Sequence, residues 1–369
     1  MKVSFINGLC TTNDAISSSL RNQISWIMEH PEFDARLYTY RCDYPDLPFK
    51  IVKNLNDVAF DSFFQDSEVV IFHFGIYYPL FNLLPVSPRN SKKVVIFHNI
   101  TPKLFLPMKD HYLIEKSFSQ LSNLAFADHI ICDSQINYDA VSSVGITVPC
   151  SIIPLSIEGD PSPPKKKPSF VDGVSRIVFI GRFVRSKGPI DLLKSLERVV
   201  TALPNIPIKA SFIGNLEFSD DEIFREMTAI ASKLTQNHSR LDIELFGSAT
   251  DLQKNRVLGE SDLFVLPTYH EGFCVPILEA MRSGCLVVSY DNSNIPYVSG
   301  GLAHLIPTGD IGLLSNAIID DVQKTRSIEW IKEGYYNRYT TQTVQHVQFF
   351  NPKKMRDMFM SILYKIIIS

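Results

Sequence analysis

None of the six cysteines (Cys10, Cys42, Cys132, Cys150, Cys274, Cys285) forms a CxxC pair or a zinc-type spacing. This argues against a disulfide framework or a structural zinc and fits reduced thiols in a cytoplasmic protein. No uncharged apolar run approaches the roughly 20 residues that span a bilayer. The N-terminal stretch Lys2-Val3-Ser4-Phe5-Ile6-Asn7-Gly8 lacks the long apolar core and cleavage site of a signal peptide. Basic charge is not in excess either: the net charge is -3 and Lys plus Arg never outnumber Asp plus Glu in either half, so no nucleic-acid partner is expected. No G-x-G-x-x-G follows the first apolar run, which argues against a dinucleotide-dependent dehydrogenase.

What the chain does have is regular alternation. At 369 residues, 45% hydrophobic and 20% charged, it is globular and longer than one core usually holds, so two domains are expected. Short apolar runs separated by helical segments recur at Val3–Asn7, Arg36–Tyr40, Val69–Phe74, Val94–His98, His129–Asp133 and Ser151–Leu155. They restart at Arg176–Gly181, Lys209–Gly214, Asp242–Gly247, Asp262–Pro267, Leu286–Tyr290 and His304–Pro307. This is the pattern of two doubly wound α/β sheets. Between the series lies the proline- and charge-rich Gly159–Pro168, and its Lys165–Lys167 run reads as a solvated spacer. The expected division is 1–158, a linker over 159–172, a second domain over 173–345, and a tail over 346–369. The apolar Met355–Ile368 reads as a helix docking back on the first domain, with a membrane-surface helix as the alternative.

The densest chemistry is in Glu271-Gly272-Phe273-Cys274-Val275-Pro276-Ile277-Leu278-Glu279, where two carboxylates eight residues apart bracket the start of a helix. The apolar run Asp262–Pro267 precedes it, so the order is strand, loop, helix. Such a loop lies at the carboxyl end of a strand, where ligands bind, and the helix start offers backbone N–H groups to an anion. A second signal follows the run Ile177–Ile180, in Gly181-Arg182-Phe183-Val184-Arg185-Ser186-Lys187-Gly188: two cations, Arg182 and Lys187, leave a strand end together and can neutralise a diphosphate.

GRFVRSKG followed by DLFVLPTYHEGFCVPILEAMRSGCLVVSYD resembles the second domain of family 4 retaining glycosyltransferases of the GT-B architecture, closely over about 110 residues and in outline over the whole chain. The resemblance implies two Rossmann-like domains facing across a cleft. It implies that Glu271 meets the donor sugar, Glu279 the ribose hydroxyls, and Arg182 with Lys187 the diphosphate, while Gly272, Phe273, Cys274 and Val275 complete the donor cradle. Cys274 stands where the family usually has glycine. Val95-Ile96-Phe97-His98-Asn99 resembles the acceptor-side segment, in which the histidine reaches toward the donor sugar; His98 would donate to a sugar hydroxyl, and Asn99 replaces a frequent aspartate. Gly8, after the first strand, is the single glycine left of a glycine-rich turn near the donor, and Asp14 beside it is an acceptor-side candidate. Ile131-Cys132-Asp133-Ser134 reads as scaffold.

With Arg182, Lys187 and a helix start at the leaving group, and no Asp-x-Asp signature, neither a metal nor another cofactor is expected. The implied reaction retains configuration without a protein nucleophile and moves a hexose from a nucleotide diphosphate sugar to a glycan or lipid-linked glycan, as in surface polysaccharide or O-antigen assembly. GDP-mannose is favoured slightly over a UDP-sugar. A GT-B epimerase and a catalytically silent nucleotide- or glycan-binding subunit are the rival readings. Membrane contact stays open, since a lipid-linked acceptor favours it and the net charge does not.

Overall fold

The computed structural model describes residues 1–12, 14–159 and 163–368, which form two compact units: Met1–Ser156 with Phe350 onward, and Ile157–Phe349. In the first, β1 (Lys2–Ile6), β3 (Asp34–Thr39), β5 (Phe49–Ile51), β6 (Val69–Phe74), β7 (Lys92–Phe97), β8 (His129–Cys132) and β9 (Cys150–Ile152) form one parallel sheet in the order β5-β3-β1-β6-β7-β8-β9. The short β2 (Leu9–Cys10) and β4 (Arg41–Cys42) pair beside it. Side chains alternate between two cores, Val69 and Ile71 entering one, Val70 and Phe72 the other, so β6 is buried on both faces, as a parallel sheet demands.

One of those cores is closed by two helices far apart in sequence. Helix Ala15–Met28 contributes Leu20, Ile24 and Ile27, and helix Pro352–Ile368 contributes Met355, Phe359, Leu363 and Ile366, each set on one helical stripe. Trp26 packs on Phe359 at a ring separation of 6.0 Å, Arg356 pairs with Glu29 at 2.8 Å, and the Tyr364 hydroxyl donates to Glu32 at 2.7 Å.

The second unit repeats the design with β10 (Ser175–Ile180), β11 (Ile208–Ile213), β12 (Leu241–Phe246), β13 (Leu263–Leu266), β14 (Leu286–Asp291) and β15 (Ala303–Pro307), all parallel, in the order β12-β11-β10-β13-β14-β15. The strand order reverses between β1 and β6 in one sheet and between β10 and β13 in the other.

The expected linker is a different object. Part of it, 160–162, lies outside the described residues, and the rest of it from Pro163 packs within the second unit. Lys165 and Lys166 are exposed, but Lys167 is 2% exposed, which corrects its reading as a solvated spacer. Its Nζ donates to the carbonyls of Leu258 (3.3 Å), Gly259 (3.0 Å) and Ser283 (2.7 Å), at the carboxyl ends of helices Asp251–Glu260 and Val275–Arg282. Burial lowers its proton affinity, while two negative dipole ends and three acceptors compensate the buried charge.

Candidate active site

β10 runs through Gly181 and Arg182 and the single turn Arg185–Lys187 into helix Pro189–Ala202; β13 runs through Pro267–Phe273 into helix Val275–Arg282. These strands are neighbours at the switch point of the sheet, so the two loops leave side by side where open α/β sheets take ligands. The loops are stitched together: Thr268 Oγ1 and the Tyr269 N–H both donate to the Ser186 carbonyl, at 3.0 and 2.8 Å. Gly188 permits the approach. Its φ is +66°, and a Cβ there would lie 2.1 Å from the Pro267 carbonyl oxygen.

This stitching sets Lys187 Nζ on Glu271 Oε1 at 2.6 Å, with side chains 16% and 9% exposed. The cation expected at the donor phosphates and the carboxylate expected at the sugar thus form one ion pair, too enclosed to count as a screened surface bridge. Arg182 is exposed and enters no ion pair among the described residues. Glu279, on the same helix as the Glu271 loop leads into, accepts from Lys254 Nζ at 2.8 Å, and Lys254 also meets Asp251 at 3.2 Å. Burial alone would lower the Lys254 pKa, but the Glu279 and Asp251 carboxylates outweigh it and the net shift is upward.

Cys274 caps the helix at φ +82°, in the left-handed region that costs an L-residue about 1–2 kcal/mol and glycine nothing. That is the physical reason a glycine suits this position. The thiol is buried beside Glu271; burial first, and the carboxylate second, push its pKa well up, so it stays protonated. Phe273 is buried, and its carbonyl accepts from Asn294 Nδ2 at 3.1 Å; Gly272 and Val275 are half-buried. Pro276 follows Val275 and has no N–H, so the backbone donors at this helix start are concentrated at and before Val275.

Residues outside the motifs fix the loop. Asp191, in the first turn of helix Pro189–Ala202, accepts from the Tyr269 hydroxyl at 2.6 Å and the Tyr290 hydroxyl at 2.8 Å, and burial with the Asp191 carboxylate pushes the Tyr269 pKa up to about 12. His270 Nδ1 lies 3.3 Å from Ser293 Oγ, and burial lowers its pKa.

In the first unit, His98 follows β7 with both ring nitrogens engaged and its side chain 1% exposed: Nδ1 lies 2.6 Å from Asp133 Oδ2, and Nε2 lies 2.8 Å from His73 Nδ1. A carboxylate only accepts, so His98 Nδ1 carries the proton and, in the neutral ring, Nε2 accepts from the His73 N–H. Asp133, read as scaffold, belongs to this chain of contacts. His73 is fully buried, burial drives its pKa well down, and its Nε2 has no partner among the described residues. Gly8 is buried against Tyr78, whose hydroxyl donates to the His73 carbonyl at 2.7 Å, and a Cβ on Gly8 would lie 3.3 Å from Tyr78 Cβ. Asp14 caps helix Ala15–Met28, accepting from the Ser17 N–H at 2.8 Å and the Ser17 hydroxyl at 2.7 Å.

No group of three or more His, Cys, Asp or Glu side chains is arranged to hold a metal ion among the described residues, and no described helix is long and apolar enough to cross a membrane.

Residues 174–323 match the family model of glycosyl transferases group 1. An O-antigen chain mannosyltransferase B from Escherichia coli is 32% identical over 89 residues, which is 22% of this chain and 23% of that protein, so the chain aligns with under a quarter of this curated relative. Solved structures align over nearly the whole chain. They include sucrose-phosphate synthase from Thermosynechococcus elongatus, with a TM-score of 0.72 and 14% identity over 99% of this chain and 98% of that one. Another is an α,α-trehalose-phosphate synthase (UDP-forming) from Burkholderia vietnamiensis, with a TM-score of 0.71 and 11% identity over 99% of each chain. The chain therefore has the GT-B fold, and the stretch that matches the glycosyl transferases group 1, residues 174–323, lies within its second unit.

Proposed function

We propose that the protein is a retaining hexosyltransferase that moves a sugar from a nucleotide diphosphate donor onto a glycan or lipid-linked glycan. The observation that carries this reading is the Lys187–Glu271 pair at the switch point of the second sheet, with the helix start at Val275 beside it. On binding, the donor exchanges this pair for its own groups: the diphosphate takes Lys187, Arg182 and the helix-start N–H groups, and the sugar hydroxyls take Glu271. The same cations then stabilise the charge that develops on the leaving diphosphate. Glu279 takes the ribose. His98, its tautomer fixed by Asp133, is assigned to a sugar hydroxyl, which its Nε2 would take in place of His73. No protein nucleophile and no metal are assigned a step. The mannosyltransferase name of the Escherichia coli relative supports mannose and an O-antigen-like acceptor, and the UDP-forming relative supports a test of uridine donors beside guanosine donors.

The test is calorimetric titration of the intact protein with GDP-mannose and UDP-glucose, followed by mass spectrometry of products with and without a glycan acceptor. Binding of one donor that Glu279→Ala weakens at least about tenfold, together with acceptor-dependent product, is the expected result. No binding of either donor, or a Glu279→Ala variant that matches the parent, overturns it. A new hexose epimer without acceptor would mark an epimerase, and binding without turnover a silent subunit.

A further inference from the structure

Among the described residues, Lys254 is the one cation outside the motifs that pairs with a motif glutamate, and it stands at an unfavourable place. It lies in the first turns of helix Asp251–Glu260, capped by Thr250 with Gln253, where the positive dipole end disfavours a cation. Its side chain is 22% exposed and is held by Glu279 at 2.8 Å and Asp251 at 3.2 Å, with Glu279 14% exposed. The loop immediately before it, from Gly247 to Thr250, is joined to the loop after β11 by a 3.3 Å hydrogen bond from Ser248 Oγ to Asn215 Oδ1. These are the loops at the carboxyl ends of β11 and β12, on the β10 side of the switch point.

We propose that Lys254 is a nucleoside-binding residue that forms, with Glu279, an ammonium–carboxylate clamp for the vicinal diol of the donor ribose. The clamp rests on the donor reading above. Its chemistry is complementary: each ribose hydroxyl donates one proton and offers lone pairs, a carboxylate only accepts, and an ammonium only donates. A carboxylate alone leaves the diol's acceptor side unmet. With the two heads already in contact, both reach the same pair of oxygens, and a donor lacking one hydroxyl leaves an enclosed charged group without its partner.

The experiment is calorimetry of the full-length protein with GDP, UDP and their 2′-deoxy counterparts. The parent is expected to bind the better ribonucleotide at least tenfold tighter than its deoxy form. Lys254→Met is expected to bring that ratio within threefold while leaving deoxynucleotide affinity unchanged, and Lys254→Arg to keep most of it. Glu279→Gln, measured in parallel, gives the same collapse. If Lys254→Met weakens both forms equally or neither, the clamp is overturned while the donor reading stands; if the ratio survives in Glu279→Gln, the ribose assignment of Glu279 falls and the clamp with it. If neither GDP nor UDP binds the parent, the donor reading falls and the clamp with it. Thermal melts of each variant separate loss of fold from loss of the ratio.

Discussion

The two sheets share a strand order yet arm their carboxyl ends differently. Beside the reversal in the second sheet stand two ion pairs, Lys187–Glu271 and Lys254–Glu279, whose side chains keep 9–22% of their surface exposed and can exchange partners with an anion. Along β6, β7 and β8 of the first sheet stands a chain of neutralisable groups, His73, His98 and Asp133, with the His98 and Asp133 side chains 1% and 5% exposed. Topology supplies a strand reversal in both; the diphosphate site proposed above rests on the side-chain chemistry of the second.

The comparison can be broken most sharply at glycine. Gly188→Ala forces a Cβ into the Pro267 carbonyl and is expected to cost more than about 2 kcal/mol and abolish nucleotide binding, whereas Gly145→Ala, at φ +79° with open space around it, costs only about 1 kcal/mol. Urea unfolding of both variants measures this, and equal losses would erase the contrast. Next in size, Lys187→Met is expected to lower nucleotide affinity by about 10- to 150-fold, the worth of a charge-assisted hydrogen bond. Asp133→Asn should leave that affinity within about twofold and reduce turnover; a similar effect of both on binding would place the first-unit chain at the donor.

Acidification probes buried histidines in both units, His73 in the first above all. His73 is held neutral when folded, so the unfolded chain takes up its proton below about pH 6.5; stability present above that pH is lost as pH falls, by up to about 1.4 kcal/mol per unit. His270 and His129 act in the same sense. Urea midpoints at pH 7.5 and 5.5 should differ less in His73→Phe than in the parent. The smallest effect is at Cys274→Gly, where relief of the left-handed backbone offsets lost thiol packing and stability should stay within about 1 kcal/mol of the parent, while Cys274→Val, β-branched, loses more.

Much of the fold was legible because most of these strands are buried along their length and write apolar runs, and each of the twelve runs overlaps a strand, even at β9, β12 and β15, which are buried only in part. The strands that left no signal are those without buried length: β5, three exposed residues at an edge, and the two-residue β2 and β4. At the candidate site, Lys187 and Glu271 could be singled out because each sits in a compact local motif. Lys254, Asp191, Asp133 and His73 could not, since their partners arrive through parallel crossovers from 25 to 99 residues away and no local spacing records the meeting. Lys167 shows the same limit: three adjacent lysines look alike, and only the ends of two distant helices distinguish the one that turns inward.

The helix Pro352–Ile368 has a consequence for how the protein is made. Residues 1–156 leave the ribosome first, but the face of helix Ala15–Met28 that receives Phe359 stays open until the last part of the second unit has been translated. At bacterial or eukaryotic elongation rates that is roughly 10–40 s with apolar surface uncovered, long enough for chaperones to engage a nascent first unit. The unit begun earliest is therefore the one completed last, and a ribosome that stalls before residue 352 releases a chain whose second unit can be finished while its first cannot.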